Sequence, residues 1–189
     1  MRDAKESMRA GMARAMSAMG PHAKHAASTK LCEQLWQADG PLEQASSGHG
    51  LLLGFLPLGD EIDPTPAMQR WLDAGGQVAV PVCDWQASTM QACCVESLGD
   101  EHFDVGRYGI REPKALQIVP ADALAVVLVP GVAFDADGGR LGRGGGFYDR
   151  FLQHVSASCV TVGVCVAGQV VESVPREPHD VRVSHVLAG

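Results

Sequence analysis

The sequence predicts an α/β domain with a mostly parallel central sheet flanked by helices. Three observations carry this. The first forty residues have helical spacing, and from Leu51 onward short apolar runs alternate with helical segments. Two runs, Leu124 to Val129 and Val160 to Val166, are almost continuously apolar and rich in Val, as strands buried on both faces are.

The elements follow in order. Met8, Met12, Met16 and Met19 recur at spacings of four, four and three, a single stripe on a first helix and a core face. Gly20-Pro21 ends that helix, and Ala27, Leu31 and Leu35 mark the apolar face of a second, which Gly40-Pro41 stops. Gln44 to Gly50 reads as a polar loop. Leu51 to Pro57 is a short strand, and Pro64 to Ala74, with Met68, Trp71 and Leu72, is a helix. Gln77 to Cys83 and Thr89 to Glu96 are further strand candidates, followed by Leu124 to Val129. Phe147 to Val155 reads as a short helix before the Val160 to Val166 strand. Val170 to Val174 and Val181 to Leu187 would add two more strands. There is no internal repeat and no long linker. The 189 residues amount to roughly 1.3 domains at about 150 residues each, so one domain over 1–189 is expected. A chain of this length buries roughly 70% of its unfolded surface, enough for a core without staples.

Composition excludes several classes. An apolar fraction of 46% and a charged fraction of 20% exclude wholesale disorder. Fifteen Lys and Arg against 22 Asp and Glu give a net charge of −7, so neither a nucleic acid nor an acidic membrane is an expected partner. An anionic ligand must be held by a local cluster of cations. The six cysteines are too sparse for a disulfide scaffold, form no Cys-x-x-Cys pair and sit mostly in apolar runs, so buried thiols are expected. The first residues carry Arg2, Asp3, Lys5, Glu6 and Arg9 with no apolar core, unlike a secretory signal, and Asp3 and Glu6 argue against a transit peptide. Ala123 to Phe134 is too short, and too broken by Pro130-Gly131, to span a bilayer. A cytoplasmic location is expected.

Chemistry concentrates between Val129 and Leu152. Six glycines lie between Gly138 and Gly146, directly before the helix at Phe147, and Arg140, Arg143 and Arg150 bring three cations to the same place. Consecutive glycines let backbone N–H groups turn toward an anion, and a helix start adds partial positive charge. Phosphate is the natural guest; a flexible linker is the alternative. No Gly-x-x-x-x-Gly-Lys-Ser/Thr is present, and Phe147 stands where a dinucleotide fingerprint wants its third glycine. Lys5 and Arg9, four apart on one helical face, can clamp a phosphate together or form an ordinary solvated face. Asp149 after the loop and Asp180 near the C-terminus offer hard oxygen ligands for Mg²⁺, or serve as caps and surface charges. His179 reads as structural.

These residues carry a resemblance. The segment Arg-Leu-Gly-Arg-Gly-Gly-Gly-Phe-Tyr-Asp from Arg140 to Asp149 resembles the nucleotide loop of 5-formyltetrahydrofolate cyclo-ligases, also called 5,10-methenyltetrahydrofolate synthetases. The preceding Val-Pro-Gly-Val-Ala-Phe-Asp is similar to the same family, as are Tyr108-Gly-Ile-Arg-Glu-Pro113 and the Pro175 to Asp180 segment. The Lys5/Arg9 pair resembles the family's N-terminal ATP-contacting pair. Phe55-Leu56-Pro-Leu-Gly-Asp-Glu61-Ile resembles the segment that gives the folate one apolar and one acidic contact. The likeness runs from Lys5 to about Leu187. Gly145 stands where some members carry Lys, and Phe147 where many carry Tyr; the loop has one cation fewer, which puts more weight on Arg143.

The resemblance implies a fold similar to the sugar-phosphate isomerase and CoA-transferase group. It implies ATP- and Mg²⁺-dependent cyclisation of 5-formyltetrahydrofolate to 5,10-methenyltetrahydrofolate with release of ADP and phosphate. Carried over by position, it implies ATP contacts from Lys5, Arg9, Arg140, Gly142, Arg143, Gly144, Gly145, Gly146, Phe147 and Tyr148. Folate contacts would come from Leu56, Glu61, Arg143, Gly146 and Phe147, catalysis from Arg143, and Mg²⁺ ligation from Asp149 and Asp180. The expected partners are these small molecules, with the chain acting as a monomer. Two other readings are a sugar-phosphate isomerase of similar architecture, for which no distinctive carboxylate base is evident, and a catalytically silent nucleotide- or folate-binding regulator. Lys5, Arg9, Arg143, Asp149 and Glu61 standing together count against silence.

Overall fold

In the computed structural model, residues 1–46, 50–59 and 61–189 are described. Helices α1 (Arg2–Ala18) and α2 (Pro21–Leu35) meet at Gly20, with Pro21 in the first turn of α2, where its missing N–H costs nothing. α2 ends five residues earlier than the Gly40-Pro41 stop suggests, and Pro41 instead opens α3 (Pro41–Ser46). The loop expected from Gln44 is therefore helical as far as Ser46, and residues 47–49 lie outside the described residues.

Strand β1 (Leu51–Leu53) is shorter than the apolar run to Pro57. Then follow α4 (Thr65–Asp73), β2 (Gln77–Asp84), β3 (Thr89–Val95), β4 (Phe103–Val105), β5 (Arg111–Pro113), β6 (Ile118–Val119) and β7 (Leu124–Pro130). A hairpin of β8 (Ala133–Phe134) and β9 (Arg140–Leu141) leads to α5 (Phe147–Phe151), which tightens into a 3₁₀ turn over Leu152–His154 rather than running on to Val155. β10 (Val160–Cys165) and β11 (His185–Ala188) complete the sheet. Val170 to Val174 is not a strand: Val170 makes one isolated bridge to Phe134. Val181 to Ser184 stays outside β11, which starts at His185.

The seven-stranded sheet runs β11-β10-β7-β1-β2-β3-β6. The four pairings from β11 to β2 are parallel, and β3 and β6 add an antiparallel edge. Side chains alternate across it. Leu52, Val78, Val126, Leu128 and Val164 pack with Leu31 and Leu35 of α2 and Met68 and Trp71 of α4. Leu51, Leu53, Val127 and Val129 face the other way, onto Phe134, Phe151 and Leu152. Both faces are covered, which is why these strands lack polar alternation.

The topology fixes a crevice. From β1 the chain crosses through α4 to β2 on one side; from β7 it crosses through α5 to β10 on the other. The carboxyl ends of the adjacent strands β1 and β7 therefore feed loops that diverge, the place where open α/β sheets bind ligands. The methionine stripe is only partly core: Met16 is buried, while Met8 and Met12 are half-buried against Ala133, Leu141 and Val174. All six thiols are free, Cys93, Cys159 and Cys165 being buried and Cys32, Cys83 and Cys94 half-buried. Burial pushes Cys159 to about 11 and Cys165 to about 12, so neither is a thiolate at neutral pH. No helix among the described residues is long and apolar enough to cross a membrane.

Candidate active site

The crevice between β1 and β7 is lined by residues that sequence reasoning singled out and by some that it missed. Just beyond β1, Leu56 is buried in the core and Glu61 turns back so that its Oε2 accepts the Leu58 N–H at 3.0 Å. At the end of β7, Pro130 and the following Gly131 form the opposite wall. Phe55, Glu61, Ile62, Pro130, Gly131 and Gln169 enclose a small cavity of about 10 Å³. Gln169 is buried and ties this wall together: its Nε2 donates to the carbonyls of Gly131 (2.9 Å) and Val132 (3.1 Å), and its Oε1 accepts the Val166 N–H. A lone Gln in a Val-rich stretch gives no sequence signal for this role.

The glycine loop hangs over the crevice. Gly144 (φ +103°) and Gly146 (φ +66°) occupy left-handed conformations that a side chain would strain, and Gly146 is the N-cap of α5. The carbonyls of the loop face away: Gly142 O accepts Arg9 Nε at 2.9 Å, and Gly145 O accepts Arg150 Nη2 at 2.5 Å. Arg150 Nε also donates to Ser88 O at 2.7 Å, tying the loop to the β2–β3 turn. The N–H groups of Gly144, Gly145 and Gly146 donate to no acceptor among the described residues. Three consecutive open N–H donors beside arginines are suited to an anion.

The structure joins distant residues through ion pairs. Arg143 reaches across to Glu61, its Nη2 and Nε each 3.2 Å from Oε1, so the loop arginine and the acidic residue beyond β1 occupy one site. Arg140 is buried, with Nη2 2.9 Å from Asp149 Oδ2 and Nη1 3.3 Å from Pro130 O, and its guanidinium lies 5.6 Å from the Tyr148 ring centre. Arg140 Nε is sealed from solvent without a partner among the described residues. The Tyr148 hydroxyl is likewise sealed and unpartnered, although the residue as a whole is half-buried. Burial, with Glu61 nearby, pushes its phenol above the ordinary range, so it stays a donor. Phe147 packs edge-on against Trp85, with ring centres 5.1 Å apart.

Lys5 and Arg9 do share a face of α1 but have separate partners. Arg9 holds the glycine loop, whereas Lys5 is buried, with Nζ 2.6 Å from Asp180 Oδ2 and 2.8 Å from Glu177 Oε2. Burial lowers the Lys5 pKa, but the bonds to Asp180 and Glu177 outweigh it and hold it above the ordinary value. Asp180, whose burial acts the other way, is held below the usual carboxylate range by Lys5 and the Glu177 N–H, and Glu177 is lowered by its bond to Lys5.

Asp149 and Asp180 come from separate segments that the fold makes neighbours. Asp149 Oδ1 accepts the N–H of Val181 at 3.3 Å, next to Asp180. Glu177, His179 and Asp180 offer ligand atoms all within 4.8 Å of one another. Glu177 was not singled out from the sequence, and His179, read as structural, is exposed with Nε2 3.6 Å from Asp180 Oδ1. The turn that gathers them is closed by Glu177 N donating to Asp180 Oδ2, three residues on, a contact with no local sequence signal. Asp135 was also missed. It is buried, and its carboxylate accepts the N–H groups of Gly139, Asp137 and Val174 at 2.8–3.1 Å, locking the β8–β9 turn to the C-terminal segment. Those bonds, with Arg176 nearby, hold its pKa below the usual range against the opposing pull of burial.

Comparison with known proteins places the chain in a family. The chain is 33% identical over 137 residues to a 5-formyltetrahydrofolate cyclo-ligase of Mycolicibacterium smegmatis, covering 70% of each chain. It is 34% identical over 136 residues to that of Escherichia coli, covering 70% of this chain and 74% of the other. Its fold matches the NMR structure of 5,10-methenyltetrahydrofolate synthetase from Aquifex aeolicus with a TM-score of 0.80 and 28% identity, over 97% of this chain and 89% of that one. A synthetase of that name from Mycoplasma pneumoniae, at 17% identity and a TM-score of 0.75 over 96% of both chains, shares the fold. With the model of the 5-formyltetrahydrofolate cyclo-ligase family matching residues 1–189 as well, the chain belongs to that family and is an enzyme of its kind.

Proposed function

We propose that this enzyme uses ATP to close 5-formyltetrahydrofolate to 5,10-methenyltetrahydrofolate, releasing ADP and phosphate. The observation that carries the reading is the meeting of Arg143 and Glu61. A loop with open N–H donors and an acidic residue beyond β1 belong to one crevice, so a phosphate donor and a ring bearing N–H donors can be held face to face.

The chemistry requires activation because the oxygen of an amide-like formyl group is a poor leaving group. Transfer of the γ-phosphoryl group to that oxygen breaks the bond to ADP and gives an iminophosphate. N10 then attacks the formyl carbon, the C–O bond breaks, and the oxygen departs within inorganic phosphate as N10 loses its proton. The protein's part is positioning and charge neutralisation. In this reading Lys5, Arg9, Arg140 and the N–H groups from Gly142 to Tyr148 hold the phosphates. Arg143 swings between Glu61 and the transferring group, and Glu61 and Leu56 hold the pterin, with Gly146 and Phe147 beside it.

In this reading Asp149 and Asp180 would hold Mg²⁺, with Glu177 and His179 grouped beside Asp180. Asp149 and Asp180 are hard oxygen ligands joined through Val181, and the cations now paired with them, Arg140 and Lys5, are the residues assigned to the phosphates. When bound there, Mg²⁺ would neutralise phosphate charge. The test is direct. Protein mixed with MgATP and 5-formyltetrahydrofolate should develop methenyltetrahydrofolate absorbance with one ADP formed per ring closed. Absorbance without ADP, or ADP without absorbance, would contradict it.

A further inference from the structure

An aromatic step leads out of the crevice on the side of the β2–β3 turn. Phe147, at the end of the glycine loop, meets Trp85 edge-on, and Trp85 meets Tyr108 in the same way with ring centres 5.4 Å apart. At the far end Arg107 lies over both outer rings, its guanidinium carbon 5.3 Å from the centre of Trp85 and 4.8 Å from that of Tyr108. Tyr108 is 68% exposed and sits at φ +60°, a conformation that costs a non-glycine residue free energy and here turns its ring beneath Arg107. The Arg107 carbonyl accepts the Ile110 N–H, whereas its guanidinium forms no hydrogen bond or ion pair among the described residues, although Glu112 lies against the neighbouring Gly106. The Trp85 Nε1–H is sealed from solvent, also without a partner among the described residues.

A guanidinium held over aromatic rings, with none of its N–H groups bonded among the described residues, has those donors open to a planar anion, and a carboxylate fits them with two parallel hydrogen bonds. From inside outward the surface presents an acceptor (Glu61), the cationic loop with Arg143, two aromatic rings (Phe147 and Trp85) and a cation. 5-Formyltetrahydrofolate presents the complementary series: pterin N–H donors, the formyl group, a p-aminobenzoyl ring and a glutamate with two carboxylates. Resting on the function proposed above, we infer that Arg107 is the receptor for the folate's glutamate carboxylates and that Trp85, with Phe147, seats the p-aminobenzoyl ring. Arg107 is then a specificity residue remote from the reacting atoms. It should act on substrate binding and distinguish folates by their tails.

The experiment compares kcat/KM, at saturating MgATP, for 5-formyltetrahydrofolate and for 5-formyltetrahydropteroate, which lacks the glutamate. The parent enzyme should favour the glutamate-bearing substrate, and Arg107→Ala should cut that preference by about ten-fold, the loss appearing in KM. Arg107→Gln keeps the stem on the rings and removes only the charge, so it should cut the preference equally; Arg107→Lys should restore part of it. Thermal unfolding of each variant checks that it is folded. An equal preference in parent and in folded Arg107→Gln would overturn the assignment. So would a Gln variant that keeps the preference while the Ala variant loses it, since that would mark packing rather than charge. A parent that closes neither substrate would instead overturn the proposed function.

Discussion

Arg143 and Glu61, 82 residues apart in the chain, meet with Nη2 and Nε each 3.2 Å from Oε1. The arginine side chain is half exposed while that of Glu61 is 15% exposed, so it is Arg143 that can swing away into solvent when a ligand enters, leaving the carboxylate in place. The contact leaves each group aimed at the space where the two substrates would meet. The pair serves better as a latch over the crevice than as a source of stability.

The role of Arg143 shows in the rate. If it neutralises charge that develops during phosphoryl transfer, Arg143→Ala lowers kcat by on the order of 10²–10³, the scale for one preorganised electrostatic donor. Arg143→Lys recovers only part, because a point charge does not reproduce a two-pronged contact. Steady-state kinetics at two ionic strengths checks this. An unaltered kcat with a salt-sensitive rise in the KM for ATP would reduce Arg143 to a contributor to the local field.

Glu61 should speak to the other substrate. Hydrogen bonds to a charged acceptor contribute about 1.5–3 kcal/mol, so Glu61→Ala raises the KM for 5-formyltetrahydrofolate by about ten-fold or more. The KM for ATP should change far less. Equal losses for both substrates would show that removing the latch disorders the loop instead.

Asp149 lies between two demands, pairing with Arg140 and receiving the Val181 N–H. Asp149→Asn preserves the shape and most of these contacts but removes the charge. The Mg²⁺ concentration giving half-maximal rate should rise by about ten-fold or more, in a protein that stays folded but unfolds at a lower temperature because buried Arg140 loses its charged partner. An unchanged Mg²⁺ dependence would leave Asp149 only its structural role of fixing Arg140.

Asp135 governs stability and its pH dependence. Its folded pKa lies below the unfolded one, so its contribution is present above the unfolded value, about pH 4, and is lost as the pH falls through the folded value. Asp135→Ala strands the buried N–H groups of Gly139 and Val174 and should cost on the order of 3 kcal/mol at neutral pH. In Asp135→Asn, unfolding temperatures followed from pH 7 to pH 3 should fall less steeply than in the parent. Parallel curves would contradict the assigned linkage.

What the sequence made legible depended on the length of each signal. Leu124 to Val129 and Val160 to Val166 are long and buried on both faces, so their apolar runs announce the centre of a parallel sheet. The glycine loop was legible because six glycines and two arginines before a helix, with a third arginine within that helix, have few other uses. β4, β5, β6, β8 and β9 are two or three residues long and have no period to read. Val170 to Val174 is apolar because Val174 fills a cluster with Ala133 and Leu141, a reason unrelated to strand pairing. The links between Lys5 and Asp180 and between Arg143 and Glu61 are products of topology, which no local pattern encodes. Glu177, Gln169 and Asp135 each act through one buried or pairing group, and a single polar residue in a loop looks the same whether or not it is anchored.

The central claim is that the formyl oxygen, not water, receives the phosphoryl group. 5-Formyltetrahydrofolate carrying ¹⁸O in its formyl group, turned over with MgATP, tests this in one measurement by mass spectrometry of the released phosphate. The account predicts one ¹⁸O atom in each phosphate, carried there when the C–O bond breaks at ring closure. Unlabelled phosphate, with the label released to water, would contradict it.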